Sequence, residues 1–220
     1  MHVMRPDVWQ LPLVGGHPAF DLVNTVEPRD GAPPHDHLSG PAALLGWTVA
    51  AGLIDGDEAG RAGQVWRDDP VAAEAGLAAV RDVRESLRLV MFALVPGGEA
   101  PADPVATGAA LVRLHERWAG AAGRAALVLG GGDRPGVRLT YGTVPAMLIP
   151  DRVAEAALDV LRTADLTRVR RCPVADGGCD WLFLDHSRNG SRRWCSMADC
   201  GTSAKARRLT ERRRAARTGA

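Results

Sequence analysis

All four cysteines of the chain fall inside one stretch, RVRRCPVADGGCDWLFLDHSRNGSRRWCSMADCGTSAKARRLTERRRAAR, residues 168–217. Cys172 and Cys179 make a C-x6-C pair, fifteen residues follow, and Cys195 and Cys200 make a C-x4-C pair. Two close pairs set that far apart suit a tetrahedral four-sulfur zinc site, because each pair sits on a tight knuckle and the segment between brings the knuckles together. A closed shell of four thiolates does structural chemistry, since a catalytic zinc keeps one position open for water. His186 is an alternative ligand, but it falls in a turn and four sulfurs already complete the shell. Two disulfides would need an oxidising compartment, and MHVMRPDVWQLPLV has no charged-then-apolar leader. The expectation is one structural Zn2+ in a cytoplasmic protein.

The same stretch carries the charge. Residues 168–217 hold thirteen Lys/Arg against five Asp/Glu, a net of +8, and the rest of the chain is left with −7 under a near-neutral total of +1. A basic module on an acidic body is the electrostatic footprint of a nucleic-acid binder. Arginine as a type says little here, because the chain has a single lysine, Lys205, among 27 basic residues. The asymmetry between the two parts is the informative feature. Arg192, Arg193, Lys205, Arg207, Arg208 and Arg212 are the candidate phosphate contacts. Trp181, Phe183 and Trp194 could stack on bases, but packing around the metal is the simpler use of them.

Around the cysteines the elements read as knuckle, hairpin, knuckle, helix, the order of a treble-clef-like module. Asp180–Asp185 is an apolar run with strand character, Asn189-Gly190 is hairpin chemistry, and Ser191–Trp194 returns toward Cys195. Gly201 permits a sharp turn, and Thr202 or Ser203 caps a helix from Ala204. That helix is polar all round, so it faces solvent or a polyanion.

The run Cys172, Cys179, Trp181-x-Phe183-x-Asp185-x-Ser187-Arg188-Asn189, Arg192-Arg193-Trp194-Cys195-Ser196-Met197, Cys200-Gly201 and Ala204-Lys205-Ala206-Arg207-Arg208 resembles the CGNR-type zinc finger. That finger closes bacterial proteins with an N-terminal ABATE domain, a family described as stress-induced transcription regulators. Phe20-Asp21-Leu22-Val23-Asn24-Thr25-Val26 is similar to the segment that opens the ABATE domain. The resemblance implies zinc on Cys172, Cys179, Cys195 and Cys200, a regulatory role, and double-stranded DNA rather than RNA as partner. Two departures stand out. Cys200-Gly201-Thr202-Ser203 replaces the name-giving Cys-Gly-Asn-Arg, and residues 174–178 lengthen and loosen the first knuckle.

The rest of the chain must position this module. At 220 residues and 46% hydrophobic, it has room for one sizeable core plus a small module. No run is long and apolar enough for a membrane span. The fold class expected is α+β: residues 1–167 form a mainly helical ABATE-like domain with one β-hairpin, for sensing or oligomerisation, and residues 168–220 form the zinc finger with its basic helix. A helix starts near Pro41 under a Ser39 cap and ends at Asp55-Gly56. The longest runs from Pro70 to Val95 under Asp69, with Val80, Val83, Leu87, Val90, Met91 and Leu94 as its core stripe. Another spans Pro104–Ala119. Ala126–Leu129 and Val137–Tyr141 are strands joined by a glycine-rich loop that lacks the GK[ST] of a phosphate loop. Pro96-Gly97-Gly98 stops the long helix, and Pro150-Asp151 starts the last helix of the body.

Phe20–Val26 reads equally as short helix or buried strand. Asp21 and Asn24, polar within it and near His17, are candidate ligand-binding residues, with helix capping and buried hydrogen bonds as the alternative. His35 and His37 in a Pro-rich loop read as exposed rather than metal-binding. Arg81, Arg84 and Arg88 could grip an anion, though snorkelling toward nearby acids is simpler. No nucleophile–base pair or open metal site points to an enzyme. The function expected is a DNA-binding transcription regulator, with a homodimer and a small-molecule effector as possible partners. The competing classes are a protein-interaction adapter, an RNA-binding module, and an enzyme in the N-terminal domain.

Overall fold

A computed structural model describes residues 11–27, 35–95, 103–129 and 136–218, with side chains to residue 214. The expected stop at residues 96–98 and most of the glycine-rich loop, residues 130–135, lie outside them. Seven helices and three two-stranded antiparallel sheets are described: α1 (Pro18–Val23), β1 (Val26–Glu27), β2 (His35–Asp36), α2 (Pro41–Ala50), α3 (Gly56–Asp68), α4 (Pro70–Leu94), α5 (Pro104–Gly123), β3 (Ala126–Leu129), β4 (Val137–Thr140), α6 (Leu148–Thr163), β5 (Val169–Arg171), β6 (Leu182–Leu184) and α7 (Thr202–Thr218).

The body is built around α4. Asp69 caps it by accepting the Ala72 N–H, and Pro70 opens it where no N–H is needed. Val80, Val83, Leu87, Val90 and Met91 are buried against Trp47 of α2, Leu114 of α5, Ile149, Val153, Ala157 and Val160 of α6, and Phe20 and Leu22 of α1. Leu94, expected in that stripe, turns outward and Val95 is buried in its place.

Asp55-Gly56, expected to end a helix, starts one instead, because α2 has already stopped at Ala50. Asp55 accepts the Glu58 N–H at 2.8 Å and Glu58 accepts the Asp55 N–H at 3.1 Å, a capping box that opens α3. The helix expected after Ser39 has Gly40 at its cap, with no side-chain bond there. The last body helix begins at Leu148, after a single 3-10 turn at Pro145–Met147.

The hairpin over 126–140 is present in the register Ala126↔Thr140. Phe20–Val26 divides into the short helix α1 and the first residue of β1. Arg84, the buried member of the α4 arginines, holds Asp36 through two bonds of 2.7 and 2.8 Å. Its guanidinium keeps that carboxyl below the usual range against the opposing effect of burial. His37 pairs with Glu27 at 3.2 Å, and His35 stacks edge-on against it, so these rings serve the β1–β2 ribbon.

Candidate metal centre and nucleic-acid interface

The strand partner inside the zinc module lies upstream of the cysteines. β6 pairs with β5, Val169↔Leu184 to Arg171↔Leu182, so the first knuckle is itself the turn of the hairpin. Asn189-Gly190 makes a separate turn in which only Gly190 takes positive φ, closed by the Gly190 N–H on the Ser187 carbonyl. Ser191–Trp194 forms no strand.

Residues 172–181 bring Cys172 and Cys179 together. Trp181 accepts the Cys172 N–H and Cys172 accepts the Asp180 N–H. Asp180 sits at φ 64, left-handed for a non-glycine, and is held by two bonds from Arg171 at 2.9 and 2.8 Å. The Arg171 guanidinium in turn lies 3.8 Å from the centroid of the Phe92 ring on α4. The lengthened knuckle is not loose. Val174–Asp176 is a 3-10 turn ended by Gly177 at φ 89, and a Cβ on Gly178 would lie 2.6 Å from the Cys172 sulfur. The second knuckle is a single π-type turn, Met197–Gly201, capped by Ser196 accepting the Asp199 N–H. This replaces the Thr202 or Ser203 cap and runs directly into α7. Gly201 lies in close packing, with Met197 and Trp194 within 3.3 Å of where a Cβ would stand, and its φ is not positive.

All four sulfurs lie within 4.8 Å of one another, with Cys179–Cys195 at 3.4 Å and Cys195–Cys200 at 3.6 Å. A tetrahedron with Zn–S bonds of 2.3 Å has edges of about 3.8 Å, so the donor set fits zinc. The sulfurs are far too distant for a disulfide bond of about 2.05 Å, and all four cysteines are free. Hydrogen bonds from its neighbours pull the Cys172 thiol far down, while the same cluster pushes Cys179 and Cys195 up. Four sulfurs this close can all be thiolates only around a divalent cation at their centre. Leu11, Trp181, Phe183, Trp194 and Ala204 pack around Cys172 and Cys195. A cavity of about 460 Å³ lined by Pro12, Glu27, Trp181 and Asp199 reaches Cys179, Cys195 and Cys200 from one side. The group these cysteines hold is one structural zinc ion. His186 is exposed and stands outside the cluster.

The two candidate ligand-binding residues are used within the chain. Asn24 is buried; its amide accepts the Leu182 N–H and donates to the Leu182 carbonyl, both at 2.9 Å. Together with the Leu184 N–H on the Gly15 carbonyl at 2.8 Å, it completes the outer edge of β6 as a third strand would. Asp21 accepts the Gly15 N–H at 2.8 Å, and burial raises its carboxyl to about 6 against the N–H groups of Gly15 and Val14. These bonds fix the chain segment before α1 onto the zinc module. Val169 and Leu182 of the module join the main core, so module and body are packed together.

The six basic candidates divide by what they touch. The Arg192 guanidinium lies over Phe183 and donates to the carbonyls of Val14, Trp194 and Cys195, which makes it part of the module's interior. Arg193 and Arg208 both bind Asp176 of the lengthened knuckle, holding its carboxyl below the ordinary range. Arg207 donates to the Ala175 carbonyl at 3.0 Å and faces Glu211. Lys205 and Arg212, joined by Arg213, are exposed and make no ion pair among the described residues. Thr202 and Ser203, which replace Asn-Arg, are exposed on the first turn of α7, and the Thr202 hydroxyl donates to the Met197 carbonyl. Arg171, Asp176 and Ser196 escape a reading of the sequence. For Asp176 the only signal is that a lengthened knuckle contains an acid close to a basic helix.

No helix among the described residues is long and apolar enough to cross a membrane. The profile of the CGNR zinc finger matches residues 168–213. The ABATE profile, described as "Putative stress-induced transcription regulator", matches residues 16–164. No curated protein matches the chain significantly. With more than half its length matched and the sulfur cluster in place, the chain belongs to the ABATE family and carries a CGNR zinc finger after its ABATE domain.

Proposed function

We propose that the protein is a DNA-binding transcription regulator in which zinc anchors the root of α7 and the exposed length of that helix neutralises phosphates. One observation carries the reading. Ala204 is buried beside Trp194 and Cys195, and every residue from Lys205 to Arg214 is exposed. A helix that gives only Ala204 to the core and carries Lys205, Arg212 and Arg213 without ion pairs among the described residues has a polyanion as its natural partner. Lys205, Arg212 and Arg213 are the primary contacts. Arg207 and Arg208 keep the helix in place against the first knuckle and add to the local field. In this reading the protein is not an enzyme, and its zinc, shielded by four sulfurs, supplies no Lewis acid to a substrate.

The test is fluorescence anisotropy with duplex DNA, duplex RNA and single strands over a salt series, using zinc-loaded full-length protein. Duplex DNA is expected to bind, and Lys205→Ala/Arg212→Ala/Arg213→Ala to make the log–log salt slope about three units shallower per module, at roughly 0.9 per phosphate. Stronger binding to RNA would make this an RNA-binding module. Absence of binding to any nucleic acid at low salt would leave an acidic protein as the partner of α7 and end the regulator reading.

A further inference from the structure

The β3–β4 ribbon has its hydrophobic pattern turned inside out. Leu127 pairs with Leu139 and Leu129 with Val137. Side chains alternate along a strand, so these four share one face, while Ala126, Val128, Arg138 and Thr140 share the other. The first face points to solvent: Leu127 is 73% exposed, Leu129 85%, Val137 62% and Leu139 52%. The second face holds the half-buried Ala126, Val128 and Thr140. A sheet covered on one side ordinarily buries its large aliphatics and shows polar groups to water; here the large aliphatics are outside. Among the described residues the ribbon also pairs with no third strand, and an isolated pair of strands is marginal in water.

We infer that this face is a homodimer interface, on which a second copy of the chain stacks its own Leu127, Leu129, Val137 and Leu139 across a twofold axis. Three features select a second copy. The face has two aliphatic cross-strand pairs and no charge, so it complements itself and offers nothing to a charged partner. Full burial of such side chains corresponds to roughly 60–120 Å² each, or about 300 Å² of apolar surface per protomer and about 600 Å² for the pair. At an apolar share of about 60%, that corresponds to a total of about 1,000 Å², the lower bound of a specific interface. Finally, three unpaired cations on one α7 reach few phosphates, and a twofold doubles them. The dimer does not depend on nucleic acid for its existence or its test.

Light scattering coupled to size exclusion, on zinc-loaded full-length protein from about 1 to about 100 µM, reads the outcome. The expected weight-average mass at the upper end is twice that of the chain. Leu127→Glu/Leu129→Glu is expected to return it to one chain with the thermal melt of the monomer unchanged, because both side chains are already in water. Leu129→Ser/Val137→Thr, a milder change that keeps this face uncharged, is expected to weaken association at least tenfold. A single-chain mass for the wild type throughout the range would overturn the proposal. So would a dimer that survives both variants, since its interface would then lie elsewhere.

Discussion

Asp21 and Asn24 are polar side chains sealed between the start of α1 and the zinc module, and each answers a different need. Asn24 imitates a peptide unit, donating and accepting along the free edge of β6. Removing it would leave two buried backbone groups without partners. Asp21 holds the Gly15 N–H, but in a place where its charge is poorly solvated, which raises its carboxyl to about 6. The sign of the consequence follows. A carboxyl raised in the folded state favours folding while protonated, so its contribution is full below the unfolded value near 4 and is lost as pH rises through about 6. Asp21→Asn keeps an acceptor for Gly15 and removes the charge. The advantage of the variant over the wild type is therefore expected to grow from pH 5 to pH 8, where it reaches about 1–3 kcal/mol. Urea midpoints of the zinc-saturated proteins at both pH values check this, and parallel behaviour of the two would refute it. The unusual polarity of FDLVNTV was legible in the sequence. Its purpose was not, because the partner of Asn24 lies 158 residues away and no local pattern encodes such a contact.

At the scale of elements, the spacing of the cysteines located both knuckles, and 3.6-residue periodicity with an Asp-Pro start located α4 to within a residue. α3 is hidden because Asp55-Gly56 reads as a terminator, although Asp55 and Glu58 spell a capping box. The direction of the module's hairpin was misjudged for a related reason. Asn189-Gly190 is a strong turn signal, but it closes no ladder, and the strand partner of β6 is the short run Val169–Arg171 that carries two arginines. The lengthened first knuckle is the element with the sharpest test. Gly178 leaves no room for a Cβ, which would meet the Cys172 sulfur at 2.6 Å and the Pro173 carbonyl oxygen at 2.8 Å. Neither neighbour is the free end of a flexible chain, since one is a zinc ligand and the other backbone. Gly178→Ala should therefore displace Cys172 at a cost of about 1–3 kcal/mol, lowering zinc affinity by roughly 10- to 100-fold in competition with a chromogenic chelator. Gly60→Ala, within α3 and with open space around its Cβ, is the matched change that should leave zinc affinity unaltered. Equal affinities for all three proteins would show that the knuckle adapts and that its packing against Cys172 is not what sets the site.

At the scale of the whole molecule, two sources of stability meet at β5 and β6. The body has a continuous core of its own around α4, whereas the module packs a few aromatic side chains around four sulfurs and needs the metal to close. The charges divide along the same line, −7 on the body and +8 over residues 168–217, so loss of zinc frees a basic segment next to an acidic surface. A helix of 17 residues with exposed like charges is marginal once its anchor is gone. Chelation of zinc is therefore expected to melt α7 and the knuckles and to leave α1–α6 folded. Because α7 is about a sixth of the helical residues described, ellipticity at 222 nm should fall by a comparable fraction, while one cooperative thermal transition of the body persists at lower temperature. The shift downward has a named cause: β6 supplies Leu182 to the main core and receives Asn24 and Gly15, so the body loses these contacts when the module opens. The DNA affinity proposed for α7 should vanish with the metal and return when zinc is restored. If chelation instead abolishes the transition altogether, the body does not fold on its own core, and zinc holds the whole molecule rather than its basic module.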